Sequence, residues 1–263
     1  MGAQIFHKSP ALSKRHSGLT VHYQLSALKL DTAAARRVVK QGHALALRRQ
    51  QAGEFRRVNA VREDVTGHPL ARQWVMYAVP GQENTFSGIE VKPAEGFLFS
   101  IHVGEDCEPL TLGLCRFPET VTHQGARVPT KLGGGWRFAG FSKTQYASLH
   151  GWEHFFRCHR AVVESLAEWR ELGVRVKITD EGEYWPRRSL ANLRRNMDNM
   201  NGLVAAMAGA IKDGDDGEGA RVESPIFAHK DFERLEAEGA EKAGAMIREA
   251  RGEIARQVRK LKK

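Results

Sequence analysis

Four side chains able to ligate a metal or move a proton, His150, His154, Cys158 and His159, fall within ten residues. His154 and Cys158 are one helical turn apart, so on a helix they could share a metal or a proton. Helical phase divides the group. Phe155, Val162, Leu166 and Trp169 define an apolar stripe, with His159 inside it, Cys158 at its margin and His154 well to the side. A cysteine at such a margin is commonly a small core residue, whereas a buried histidine must still hydrogen-bond. Downstream, Asp180, Glu181, Tyr184 and Trp185 follow an alternating run, and strand ends are where loops present catalytic side chains. A carboxylate beside a histidine fixes its tautomer for acid–base work. Lys143, His154, His159, Asp180 and Glu181 are therefore the candidates for a hydrolase or nuclease-like site. The plainer reading makes Asp180-Glu-Gly a turn and His159 a core residue.

A second set of residues carries charge rather than chemistry. Met1 to Arg72 holds thirteen Lys and Arg against four Asp and Glu, which accounts for the whole net charge of +9; the remaining residues are balanced. A basic segment on an otherwise neutral protein points to an acidic partner, most often nucleic acid. Arg36, Arg37, Lys40, Arg48, Arg49, Arg56 and Arg57 are the candidate phosphate contacts, arginine being well suited because its planar fork binds two oxygens. DNA and RNA are not distinguished. The plainer reading is a solvated basic face, or one paired to carboxylates.

Both sets need elements to position them. Leu19 to Leu28 alternates as a half-buried strand. Asp31 and Thr32 offer an N-cap for a helix running to about Gln51, with Gly53 as its stop; Arg36, Arg37, Lys40 and Arg48 cluster opposite its apolar side. Further strands are expected at 54–62, 74–79, 97–103, 110–117 and 136–141, separated by polar loops at 80–96 and 120–135. Short connections favour antiparallel pairing. A helix is expected over 152–172, ended by Gly173, then a strand over 174–179 and a helix from Ser189 to about Lys212. The acidic, glycine-rich 213–225 reads as a mobile linker, and 226–263 as a C-terminal helix with a thin apolar face suited to self-association or a protein partner.

The fold class expected is α+β. A mostly antiparallel sheet with one basic helix fills 1–142, and a helix–strand–helix region, 143–212, packs on it. Cys107, Cys115 and Cys158 are sparse and odd in number, and no export signal precedes them, which favours reduced thiols in a cytoplasm. Cys107 and Cys115 would be the pair to bridge across a hairpin if one formed. Without a CxxC, a zinc ribbon is excluded, and no metal or cofactor is expected. No apolar run approaches the ~20 residues that span a bilayer. Lys131-Leu-Gly-Gly-Gly lacks the spacing of a phosphate loop, and Asp213-Gly-Asp-Asp-Gly-Glu lacks the closing glutamate of a calcium loop.

The runs Gly140-Phe-Ser-Lys-Thr-Gln-Tyr-Ala, Phe156-Arg-Cys-His and Asp180-Glu-Gly-Glu-Tyr-Trp resemble a group of bacterial accessory proteins of plasmids, integrated elements and accessory gene clusters. Ala205-Ala-Met-Ala-Gly-Ala-Ile-Lys-Asp and Ser224-Pro-Ile-Phe are similar too, so the likeness covers about 106–237. It implies a bacterial cytoplasmic accessory protein and assigns no catalytic residue. The leading expectation is nucleic-acid binding by an accessory protein of a mobile element or defence-type gene cluster. The alternatives are the enzyme at 143–185 and an interaction module built on 226–263.

Overall fold

The computed structural model describes residues 19–79, 85–213, 225–241 and 244. The fold is α+β, organised on one six-stranded sheet in which every neighbouring pair is antiparallel. Its first strand, β1 (Thr20–Ala27), is central rather than at an edge. It alternates as the sequence does: Leu19, Val21, Tyr23 and Leu25 are buried while His22 and Gln24 are exposed. Tyr23 donates its hydroxyl to the Thr111 carbonyl, and the buried phenol has its pKa driven up, desolvation outweighing that hydrogen bond.

Helix α1 (Thr32–Gln51) begins where Asp31 accepts the Ala34 N–H at 2.7 Å. Gly53, at φ +77°, follows its last turn. The next strand is much shorter than expected: only Arg57–Val58 pairs, as β2, with a separate bridge from Arg62 to Leu98. Irregular alternation over 54–62 leaves no continuous face to bury.

The expected polar loops hold strands. β3 (Gln73–Ala78) pairs with β4 (Phe86–Val91), within the stretch expected to be loop, and the hairpin buries Val75, Ile89 and Val91. β5 (Glu95–His102) and β6 (Leu110–Arg116) form the next hairpin. β7 (Thr120–His123) and β8 (Ala126–Pro129) form a small separate hairpin inside the second expected loop. Both misses are short strands whose polar or exposed side chains carry weak alternation. Hydrogen bonding to a neighbour, invisible in sequence, made them strands.

β9 (Trp136–Lys143) and β10 (Arg175–Asp180) flank β1 on its two sides, giving the order β10-β1-β9-β6-β5-β2. Residues 143–180 therefore complete the N-terminal sheet as well as packing on it. Between these strands come a 3-10 segment, Gln145–His150, and α2 (Trp152–Glu168). Phe99 of β5 touches His43 of α1 edge-on, with centroids 5.0 Å apart, and stacks at 6.3 Å on Trp169 at the end of α2. Both helices consequently lie on the same face of the sheet. α3 (Leu190–Asp213) follows, its first turn held by Ser189 accepting the Asn192 N–H at 3.3 Å. Residues 232–241 are helical and lie against α3, with Gly239 Cα 3.6 Å from where a Cβ on Gly202 would stand. Residues 214–224, within the expected linker, and 242, 243 and 245–263 of the expected terminal helix lie outside the described residues. No described helix is long and apolar enough to cross a membrane.

Candidate functional site

α1 contains no carboxylate over its 20 residues, yet it carries Arg36, Arg37, Lys40, Arg48 and Arg49. Its apolar residues explain why these point outward. Ala35, Val39, Gly42 and Ala46 are buried against the sheet and α2, leaving the opposite side to solvent. Arg37, Lys40 and Arg48 are exposed and lie at helical spacing along that side. At 1.5 Å rise per residue, Arg37 and Arg48 are about 16 Å apart along the axis. Together with exposed Arg56 they make no side-chain hydrogen bond or ion pair among the described residues.

The remaining cations of the expected set are engaged. Arg49 turns inward and is 12% exposed. It meets Glu54 at 2.7 Å, Glu164 at 3.3 Å and Glu168 at 3.2 Å, donates to Ser165, and lies over the Phe55 ring. It is a structural tie between α1 and α2, not the free phosphate contact expected of it. The reason is helical phase: Arg49 lies next to the buried row that ends at Ala46, where α2 presents its acidic turn. Arg36 pairs with Glu63 at 3.0 Å and caps the Phe97 ring. Arg57 donates to His102 at 2.9 Å, and burial, aided by Arg57 and Arg56, holds that imidazole below its ordinary pKa.

The five candidates for an enzyme site divide. His159 and Asp180 do meet, with Nε2 3.2 Å from Oδ1, and both side chains are 0% exposed. Thr144, also buried, bonds His159 Nδ1 at 2.9 Å. The Asp180 carboxylate accepts the Gly182 and Trp185 N–H groups, each at 2.8 Å. Its approach to His159 Nε2 is too oblique for a hydrogen bond. Burial pushes the Asp180 pKa up, but His159 and the two N–H donors outweigh it and leave it lowered. The unit is a carboxylate that folds the 180–185 turn onto α2. With no solvent-facing surface, it offers substrate no approach.

The other three candidates lie elsewhere. Glu181 accepts the Thr20 N–H at 3.0 Å and meets His22 at 3.3 Å. Lys143 Nζ stands 5.9 Å from the Tyr146 ring centre. His154 belongs to a different cluster, formed where the β5–β6 turn faces α2.

That cluster joins residues the sequence kept far apart. Cys158 Sγ is 3.6 Å from His154 Nε2 and reaches toward the Val103 carbonyl at 4.0 Å. Cys107 is partly exposed. His154 Nε2 also lies 3.1 Å from the Glu105 carbonyl, and Arg157 donates to His154 Nδ1 at 2.9 Å. His150 sits edge-on to His154 and pairs with Asp106 at 2.6 Å. A cleft of about 190 Å³ opens beside these groups, walled by Arg56, Gly104, Glu105, His154 and Arg157. Among the described residues, no group of three or more His, Cys, Asp or Glu is arranged to hold a metal ion. All three cysteines are free. Cys115 is buried beside Gly96 and Val65, whereas Cys158 lies against Gly104 and His154. Sequence spacing did not signal the contact with Gly104, which depends on where α2 crosses the sheet. No protein-family model, curated protein or solved structure matches the chain.

Proposed function

We propose that the chain binds nucleic acid through the solvent face of α1, with Arg37, Lys40, Arg48 and Arg56 contacting phosphates, as a bacterial accessory protein of a mobile element or defence-type gene cluster. The observation that carries this reading is a carboxylate-free helix bearing three cations that have no hydrogen-bond or ion-pair partner among the described residues. Internal neutralisation would have removed the positive field; among the described residues it falls, within α1, on Arg36 and Arg49. A convex row of point charges suits backbone contacts, which position a protein without reading sequence. Binding is therefore expected to be only weakly sequence-selective.

The test is fluorescence anisotropy of labelled 20-mer single strands and duplexes across a salt series. Four phosphate contacts predict a slope of log K against log salt of about −3.6 on duplex and about −2.8 on single strands. A slope near zero, or no binding at low salt, refutes the reading.

A further inference from the structure

We propose that the junction of α2, the 184–188 turn and the start of α3 is a second nucleic-acid surface, which stacks the unpaired bases of a single strand on arginines held over aromatic rings. The ring array is continuous. Trp152 and Phe156, one turn apart on α2, stack at 5.8 Å with their planes 8° apart. Tyr184 meets Phe156 edge-on at 5.8 Å, and Trp185 follows Tyr184 in the chain. An arginine lies over each ring. Arg194 stands 5.3 Å from the centre of Trp152, and Arg160 stands 5.5 Å from that of Phe156. Arg188 serves two rings, at 5.2 Å from Tyr184 and 4.9 Å from Trp185, and Arg170 also lies over Trp185, at 4.9 Å.

Arg49 shows what a structural arginine over a ring looks like in this chain. It covers Phe55, but it is buried and tied to three carboxylates. The strip is built differently. Arg160, Arg170, Arg188 and Arg194 are all exposed, and Trp152, Phe156 and Trp185 are partly so. Arg188 and Arg194 have no hydrogen-bond or ion-pair partner among the described residues. Arg160 has Glu164 at 3.8 Å, and Arg170 donates to the Val176 carbonyl. The backbone at Arg188 is left-handed, φ +55°, a conformation unfavourable for a residue with a Cβ. That conformation is kept where it sets one guanidinium over two rings.

A guanidinium is planar, weakly hydrated and stacks on π faces. Unpaired bases stack on aromatic rings and on arginine planes alike, whereas a duplex keeps its base faces inside. Positive charge without carboxylates at Arg188 and Arg194 complements a polyanion. The proposal rests on nucleic-acid binding as read from α1 and adds a strand preference to it. α2 lies between the two surfaces, meeting α1 through Glu164 and the 184–188 turn through Phe156. The α1 row holds phosphates of either form, and the strip adds affinity for single strands alone.

The experiment measures binding of the full chain to three labelled probes of equal length: a single strand of thymidine, an abasic phosphodiester strand and a duplex. The thymidine strand should bind at least about tenfold more tightly than the abasic strand. Arg188→Ala combined with Arg194→Ala should abolish that margin while leaving duplex affinity and Tm unchanged. Lysine at both positions keeps the charge without the planar stack, so it should lose the margin too. Alanine at Arg37, Lys40 and Arg48 should instead weaken all three probes, so the two surfaces fail separately. The proposal is overturned if thymidine and abasic strands bind equally, if the double alanine variant keeps the margin, or if lysine serves as well as arginine. Duplex binding that persists in those cases leaves the α1 reading standing, and a chain that binds no probe overturns both.

Discussion

Arg49 of α1 holds Glu168 of α2 at 3.2 Å while also meeting Glu54 and Glu164, so one guanidinium bridges three carboxylates between two helices. Burial raises the Glu168 pKa, Arg49 lowers it, and Glu54, Glu164 and Glu171 add to the rise, leaving it above its ordinary value. Replacing Arg49 with alanine should cost about 2 kcal/mol near neutrality, because the carboxylates are left to repel one another. The sign with pH is fixed: Glu168 takes up its proton at a higher pH than an ordinary carboxylate, so as pH falls into the carboxylate range these groups protonate and the repulsion fades. The penalty of Arg49→Ala should therefore shrink with acidification, as read from urea unfolding at several pH values.

Gly42→Ala tests the other contact between these helices. In a solvent-exposed helix the change would stabilise by about 1 kcal/mol. Here the added Cβ would stand 2.8 Å from the Trp169 ring, which is 2% exposed and has no room to withdraw. Overpacking of this kind costs about 1–3 kcal/mol. The net effect should be a lower Tm, opposite in sign to helix propensity.

Asp180→Asn should destabilise the chain by about 2–3 kcal/mol at neutral pH. An amide accepts one of the two N–H groups now bonded and sets its own donors against the other. The folded Asp180 pKa lies below its unfolded value of 3.8. Its stabilising contribution is thus complete above that value and is lost as pH falls through the folded value. Denaturant curves of the two proteins should converge in acid and separate above about pH 5.

Single charge reversals at Arg37, Lys40 and Arg48 should leave the fold intact, within about 0.5 kcal/mol, since these side chains are exposed and make no hydrogen bond or ion pair among the described residues. Neutralising one of them to alanine should lower the duplex salt slope by about 0.9. Arg49→Ala should instead act through stability, so melting curves and binding isotherms together separate the two kinds of arginine.

Much of the scaffold was legible in the chain because it rests on short-range periodicity. The alternation of Leu19 to Leu28, the Asp31 cap with its helix, and the apolar stripe of α2 all report a face that must be buried, and each formed as read. Burial of His159 and the lateral position of His154 follow from that same helical phase. The hairpins Gln73–Val91 and Thr120–Pro129 were not legible as hairpins, since weakly alternating strands depend on the partner they pair with. The insertion of β1 between β9 and β10 was equally hidden, because non-local pairing leaves no trace in local pattern.

For the candidate site, the sequence by itself determined which residues are basic, that α1 carries no acid, and which side of that helix faces water. Only the tertiary structure decided which of those cations stay free, because the neutralising carboxylates Glu63 and Glu168 come from other segments of the chain. It likewise turned the expected His159–Asp180 constellation into a buried brace, and brought His154 to the Glu105 carbonyl across 49 positions. The physical reason is common to all three. A residue's type and phase set what it can do, but its partners are chosen by how helices cross the sheet, and that geometry is a property of the packed chain.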